Sequence, residues 1–126
     1  MLDYELDDYQ GSIEKNLEAY SIRKSINDLK GQGESLNNLA LAYMGIKNWA
    51  QKALIYFNLA LDKAMANGQM GDALTSYLNI IRFHSQEGDY KMAFEMQTKM
   101  VGLKDSLADL SRMEALGELE VSYNTQ

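Results

Sequence analysis

The chain has 126 residues, 46% of them hydrophobic and 24% charged, and 12 basic residues against 18 acidic ones give a net charge of −6. It contains neither cysteine nor proline. Disulfides, thiolate metal sites and cysteine nucleophiles are therefore excluded, and the acidic balance repels phosphate backbones, so no nucleic-acid partner is expected.

Leu, Ala, Met, Lys, Glu and Gln dominate, β-branched residues are few and period-2 alternation is absent, so the chain reads as all-α. Six helical segments are predicted in chain order, over 8–28, 34–46, 49–67, 72–86, 89–103 and 106–124. Gly31 and Gly33, then Gly68 and Gly71, sit in polar stretches that predict long turns between helix pairs. Gly45 and Gly88 mark shorter turns within pairs. No run approaches the ~18 apolar residues of a membrane span, and no charged start leads into an apolar run. Neither membrane insertion nor a signal peptide is expected.

The second segment carries Leu36, Leu39, Ala40 and Tyr43 at i, i+3, i+4 and i+7. Tyr77, Ile80, Ile81 and His84 repeat the spacing 41 residues later, and Leu116, Leu119 and Tyr123 repeat it 39 residues after that. Asn38 and Asn79 each precede the second member. The third segment has its own marker: Ala53 is flanked at the same period by Ser12 and Ala93. Self-similarity at such a period predicts stacked helix pairs, a solenoid more suited to binding than to catalysis.

SLNNLALAYMGIKNWAQKALIYFNLAL at 35–61 resembles a tetratricopeptide repeat. Leu39, Ala40 and Tyr43 match the first helix of that motif, and Ala53, Phe57 and Ala60 match the second. EGDYKMAFEM at 87–96 matches the turn between the two, and ELDDYQGSIE at 5–14 is a weaker version. The resemblance implies a right-handed α-solenoid with a partial repeat at 1–30, repeats at 31–68 and 69–104, and a C-terminal helix at 105–124. The usual period is ~34 with a closing proline; the longer, proline-free period here is similar to that of kinesin light chain and of bacterial sensor and peptide-receptor proteins. One inserted residue between Tyr43 and Ala53 predicts an irregular loop around Trp49. Neither end supplies a polar capping repeat, so a piece of a longer protein is expected. The stretch from Met100 onward, with Leu103-Lys104-Asp105-Ser106-Leu107, Glu118-Leu119 and Tyr123, resembles the segment ending the repeat region of bacterial membrane sensor histidine kinases, and the same tail also precedes DNA-binding output domains.

The candidate chemistry is thin. His84 occupies the slot of Tyr43 and Tyr123, which predicts a packed core side chain. Asp3, Glu5, Asp7 and Glu14 imitate the offsets of a calcium loop, but Asp8 stands where that loop needs glycine. Gly31-Gln32-Gly33 lacks the Gly-Lys-Ser/Thr of a phosphate cradle. No serine or acid–base constellation is visible, and most tyrosines and methionines fall at core or turn positions. No metal or cofactor is expected, and no catalysis by this chain.

What remains is the inner face that the resemblance assigns to the first helix of each pair. It comprises Glu34, Asn37, Asn38 and Leu41, then Thr75, Leu78, Asn79 and Arg82, then Glu114, Glu118 and Val121. Asparagines one repeat apart offer donors and acceptors to an extended peptide backbone; equally, they could only tie helices together. A ligand gripped by its C-terminal carboxylate is disfavoured, because Arg82 alone is placed for it. The resemblance implies a protein- or peptide-binding module, such as the sensory region of a two-component histidine kinase, periplasmic in that case and cytoplasmic otherwise. The alternatives are a scaffold that assembles complexes or self-associates through its ends, and the repeat region of a peptide-responsive transcriptional regulator.

Overall fold

The computed structural model describes residues 4–46 and 48–125. Five helices follow one another: α1 (Tyr4–Ser25), α2 (Leu29–Met44), α3 (Ala50–Ala66), α4 (Met70–Gln86) and α5 (Tyr90–Asn124). No strand occurs among the described residues. Each helix packs chiefly on the next, α1 on α2, α2 on α3, α3 on α4 and α4 on α5. Among the described residues no helix is long and apolar enough to cross a membrane.

One device closes α1, α3 and α4. Asn27, Gly68 and Gly88 adopt left-handed φ values of 60°, 71° and 78°. After each, the next backbone N–H turns back to a carbonyl in the last helical turn: Asp28 to Arg23, Gln69 to Ala64, and Asp89 to His84, at 2.8–2.9 Å. This is the Schellman geometry, which satisfies carbonyls the helix leaves over. Asp28 and Asp89 then cap the following helices, their side chains accepting from Gly31 N at 3.0 Å and Met92 N at 3.2 Å.

That device corrects the predicted boundaries. The break after α1 belongs to Asn27 and Asp28, so Gly31 and Gly33 lie inside α2, both buried, and the expected repeat boundary at 30/31 cuts this helix. Gly71 lies inside α4. The turns between helices span three residues at 26–28, 67–69 and 87–89, and the longest connection is 45–49, so the expected contrast of long and short turns is not seen. That connection bears out the irregular loop: Asn48 has φ 71° and Ile46 is buried. α1 starts earlier than predicted and already includes 5–7, where a turn was expected. Asp3 and the side chains of Glu5 and Asp7 lie outside the described residues, but a continuous helix through Glu14 is not a calcium loop.

The core forms where the first two stripe copies meet the alanine face of α3. Leu36, Leu39, Ala40, Tyr43, Ala53, Phe57, Ala60, Ile80 and Phe83 are buried together. The alanines let α3 approach its neighbours closely, and Phe57 fills the space between them. His84 is buried with its ring edge-on to Phe83, centroids 5.3 Å apart, as its stripe position predicts. A polar seam braces the first three helices. Arg23 Nη1 donates to Gly31 O and Ser35 Oγ at 2.9 and 2.8 Å, and Lys63 Nζ donates to Gln32 Oε1 at 3.4 Å.

The third stripe copy behaves otherwise. The predicted helices 89–103 and 106–124 are one helix of 35 residues, because no residue near 104 leaves the helical conformation and Gly102 keeps a negative φ. Leu116, Leu119 and Tyr123 are 64%, 67% and 77% exposed, where their equivalents in α2 are buried. Phe94, the counterpart of Leu54, is 69% exposed for the same reason: α5 does not fold back to cover it.

Candidate functional site

Two hollows meet on one side of the molecule. The first, of about 450 Å³, lies between α2 and α4 and is lined by Gly33, Glu34, Asn37, Asn38, Leu41, Asp72, Thr75 and Asn79. The second, of about 500 Å³, lies between α1 and α2 and is lined by Asp8, Tyr9, Ser12, Asn16, Asn38, Leu41 and Ala42. Asn38 and Leu41 belong to both, so the two form one open groove running over α1, α2 and α4.

Six of the sequence-predicted residues come together there: Glu34, Asn37, Asn38, Leu41, Thr75 and Asn79. They do so because 34, 37, 38 and 41, like 75 and 79, follow the helical repeat beside a buried stripe, so that stripe fixes which way they face. Leu78 and Arg82 are exposed but do not line the groove. Glu114, Glu118 and Val121 line a separate hollow formed by α5 alone. They are on the straight extension of α5, so they do not join α2 and α4.

Several lining residues were missed. Asp72 stands three and seven positions before Thr75 and Asn79, so the spacing that selected those two should have included it. Tyr9, Ser12 and Asn16 follow the same i, i+3, i+7 rule on α1, which the expected inner face did not include. Asn16 Nδ2 donates to Ser12 O at 2.8 Å, and the Tyr9 ring packs so closely on Gly45 that a Cβ there would overlap it. No family model matches this chain, nor does any curated protein or solved structure.

The groove's own chemistry is then the guide to what it does. Asn37 Nδ2 donates to Ser76 Oγ at 3.5 Å, while Asn37 Oδ1 is buried without a partner. Ser76 can donate or accept, so flipping the amide changes which end is left over, not that one is. Asn38 and Asn79 have no side-chain partner among the described hydrogen bonds, although both line the groove. Its charged side chains are Asp8, Glu34 and Asp72, with no basic residue among those lining it. Among the described residues no group of three or more His, Asp or Glu side chains is placed to hold a metal ion.

Beside the groove, the loop before α3 is held by aromatic stacking. Tyr43 stacks on Tyr56 at 5.4 Å and on Trp49 at 5.8 Å, and Lys52 Nζ lies 5.4 and 5.1 Å from the Tyr43 and Trp49 rings. Burial, and then the neighbouring Tyr43, pushes the Tyr56 phenol above its ordinary value, with Lys52 opposing.

Proposed function

We propose that this chain is a right-handed α-solenoid of tetratricopeptide type whose groove binds an extended peptide or protein segment. The observation that carries the reading is the pairing of Asn38 and Asn79 in one groove wall, each without a side-chain partner among the described residues. The amide groups of a free asparagine row match the alternating donors and acceptors of an extended backbone. The bracing role falls instead to Asn37 and Ser76, which favours ligand contact over helix bracing for the other two.

The resemblance of the tail from Leu103 to Tyr123 supports a place in a bacterial signalling protein of the histidine kinase type. In that setting a ligand across α1, α2 and α4 would change how these helices sit on one another, and α5 would pass the change on. A transcriptional regulator with the same tail is the alternative output. Peptide phage display against the purified chain, counter-selected on an Asn38→Ala/Asn79→Ala variant, tests the groove. Sequences enriched on the native chain alone are expected; equal enrichment on both proteins would sink the reading.

Self-association is a second reading, favoured by the exposed Leu116, Leu119 and Tyr123 on α5. It predicts a mass that rises with concentration in light scattering and returns to the monomer in a Leu116→Glu/Leu119→Glu variant.

A further inference from the structure

We infer that the groove selects cationic segments, an extended peptide carrying lysine or arginine side chains. The inference rests on the reading of the groove as a peptide site and adds the charge of its ligand.

The sign of the groove comes first. Asp8, Glu34 and Asp72 line it, and no basic side chain does. Among the described residues none of the three forms an ion pair; the ion pair found there joins Arg112 to Asp109, far along α5. Arg23 is held by Gly31 and Ser35, Lys63 by Gln32, and Lys52 lies above Tyr43 and Trp49, while Arg82, exposed on α4 three residues beyond Asn79, does not line the groove. Carboxylates of one sign along a concave wall focus a negative potential into it, and over the ~8 Å Debye length of physiological salt a bound lysine or arginine senses it strongly.

The arrangement of the charges gives the ligand its form. Glu34 and Asp72 flank one part of the groove, and Asp8 stands across Asn38 and Leu41 in the other. The uncharged amides of Asn37, Asn38 and Asn79 lie between. Glu34 and Leu41 are roughly 10 Å apart along the axis of α2, about the rise of three residues of an extended chain. Basic side chains two to four positions apart would reach both acidic places while the backbone between them meets the asparagines. An acidic ligand would meet three carboxylates and no basic side chain among the lining residues.

Nitrogen-15 NMR titration of the chain tests this, with a short blocked peptide of alternating lysine and threonine as probe and its glutamine and glutamate versions beside it. The lysine peptide is expected to shift the side-chain amide signals of Asn37, Asn38 and Asn79, and to bind more weakly as salt is raised. Glu34→Gln with Asp72→Asn should weaken it about tenfold, the equivalent of losing two charge contacts, whereas Glu118→Gln should leave it unchanged. If the glutamine or glutamate peptide shifts the same signals as strongly, the charge selection is wrong and the peptide groove stands. If the lysine peptide moves only signals of α5 between Glu114 and Glu120, or its binding ignores salt, the inference is also overturned. If none of the three peptides moves the asparagine signals, the groove reading falls with it.

Discussion

Asn37 on α2 donates its Nδ2 to the buried Ser76 hydroxyl on α4, 3.5 Å away across 39 positions of the chain. The span is close to one repeat, so the bond joins equivalent helices. It is long, and it leaves Asn37 Oδ1 without a partner. Removing the amide therefore removes a weak bond and a desolvated carbonyl together, two effects of opposite sign. Asn37→Ala should cost less than about 1 kcal/mol in urea unfolding, and its double-mutant cycle with Ser76→Ala should give a coupling of about 1 kcal/mol or less. A coupling of several kcal/mol would mean the brace is much stronger than its geometry. Asn38→Ala, at an exposed position, should stay within about 0.5 kcal/mol of the native chain, and Asn79→Ala, at a half-buried one, within about 1 kcal/mol.

Gly31 and Gly33 both lie inside α2, yet alanine should act oppositely at the two. A Cβ on Gly31 would run into the Asp28 carboxylate that caps the helix and into the stem of Arg23. Gly31→Ala must displace the cap and disturb the Arg23 bonds to Gly31 O and Ser35, so a lower melting temperature is expected. A Cβ on Gly33 meets nothing within 4 Å. Gly33→Ala should raise stability by about 0.5–1 kcal/mol, the usual gain of alanine over glycine within a helix. A melting temperature that rises in both variants would refute the cap-and-brace geometry at Gly31.

Phe57 on α3 and Phe94 on α5 offer a sharper contrast. Phe57 is fully buried, so Phe57→Ala should cost about 3–5 kcal/mol. Phe94→Ala, and likewise Leu116→Ala against Leu39→Ala, should change stability by only a few tenths of a kcal/mol. Thermal unfolding of the four variants measures this directly. A large loss at Phe94 and Leu116 would show that α5 bends back in solution and buries the third stripe.

The Tyr56 phenol sets an alkaline limit. Its folded value is raised above 10.0, chiefly by burial, so the folded chain holds this proton more tightly than the unfolded chain does. Linkage then gives a contribution that is complete below pH 10 and lost as pH climbs through the raised value. Melting temperatures measured from pH 8 upward should stay level and then fall above pH 10, and Tyr56→Phe should flatten that fall. A variant whose alkaline decline matches the native chain would remove Tyr56 as its source.

Much of this architecture was legible in the spacing of a few residues. Leu36, Leu39, Ala40 and Tyr43 announced a buried face, and burial of that face turns Glu34, Asn38 and Leu41 toward the groove. The Gly88 turn was legible too, since glycine is the common left-handed residue. Asn27 was not, because asparagine adopts that conformation less often and the nearby glycines drew the boundary away from it. α5 misled for a different reason. A stripe records which residues could be buried, while its burial needs a partner helix, and the local sequence from Gly102 to Ser106 contains nothing that forces the chain to turn. Asp8 stayed hidden because it joins the groove only once α1 has docked on α2, whereas Asp72 was legible in the spacing it shares with Thr75 and Asn79.

The unbroken course of α5 has a mechanical consequence. Met100 is its last buried residue, and from there to Asn124 the helix extends roughly 36 Å at 1.5 Å per residue. A tilt of about 10° where α5 rests on α4 would swing the tip by roughly 6 Å over that length. A shift of roughly 2–3 Å at the Tyr90 end of α5 would thus arrive at the far end as about twice that displacement, with the helix acting as a pointer that magnifies what happens at its base.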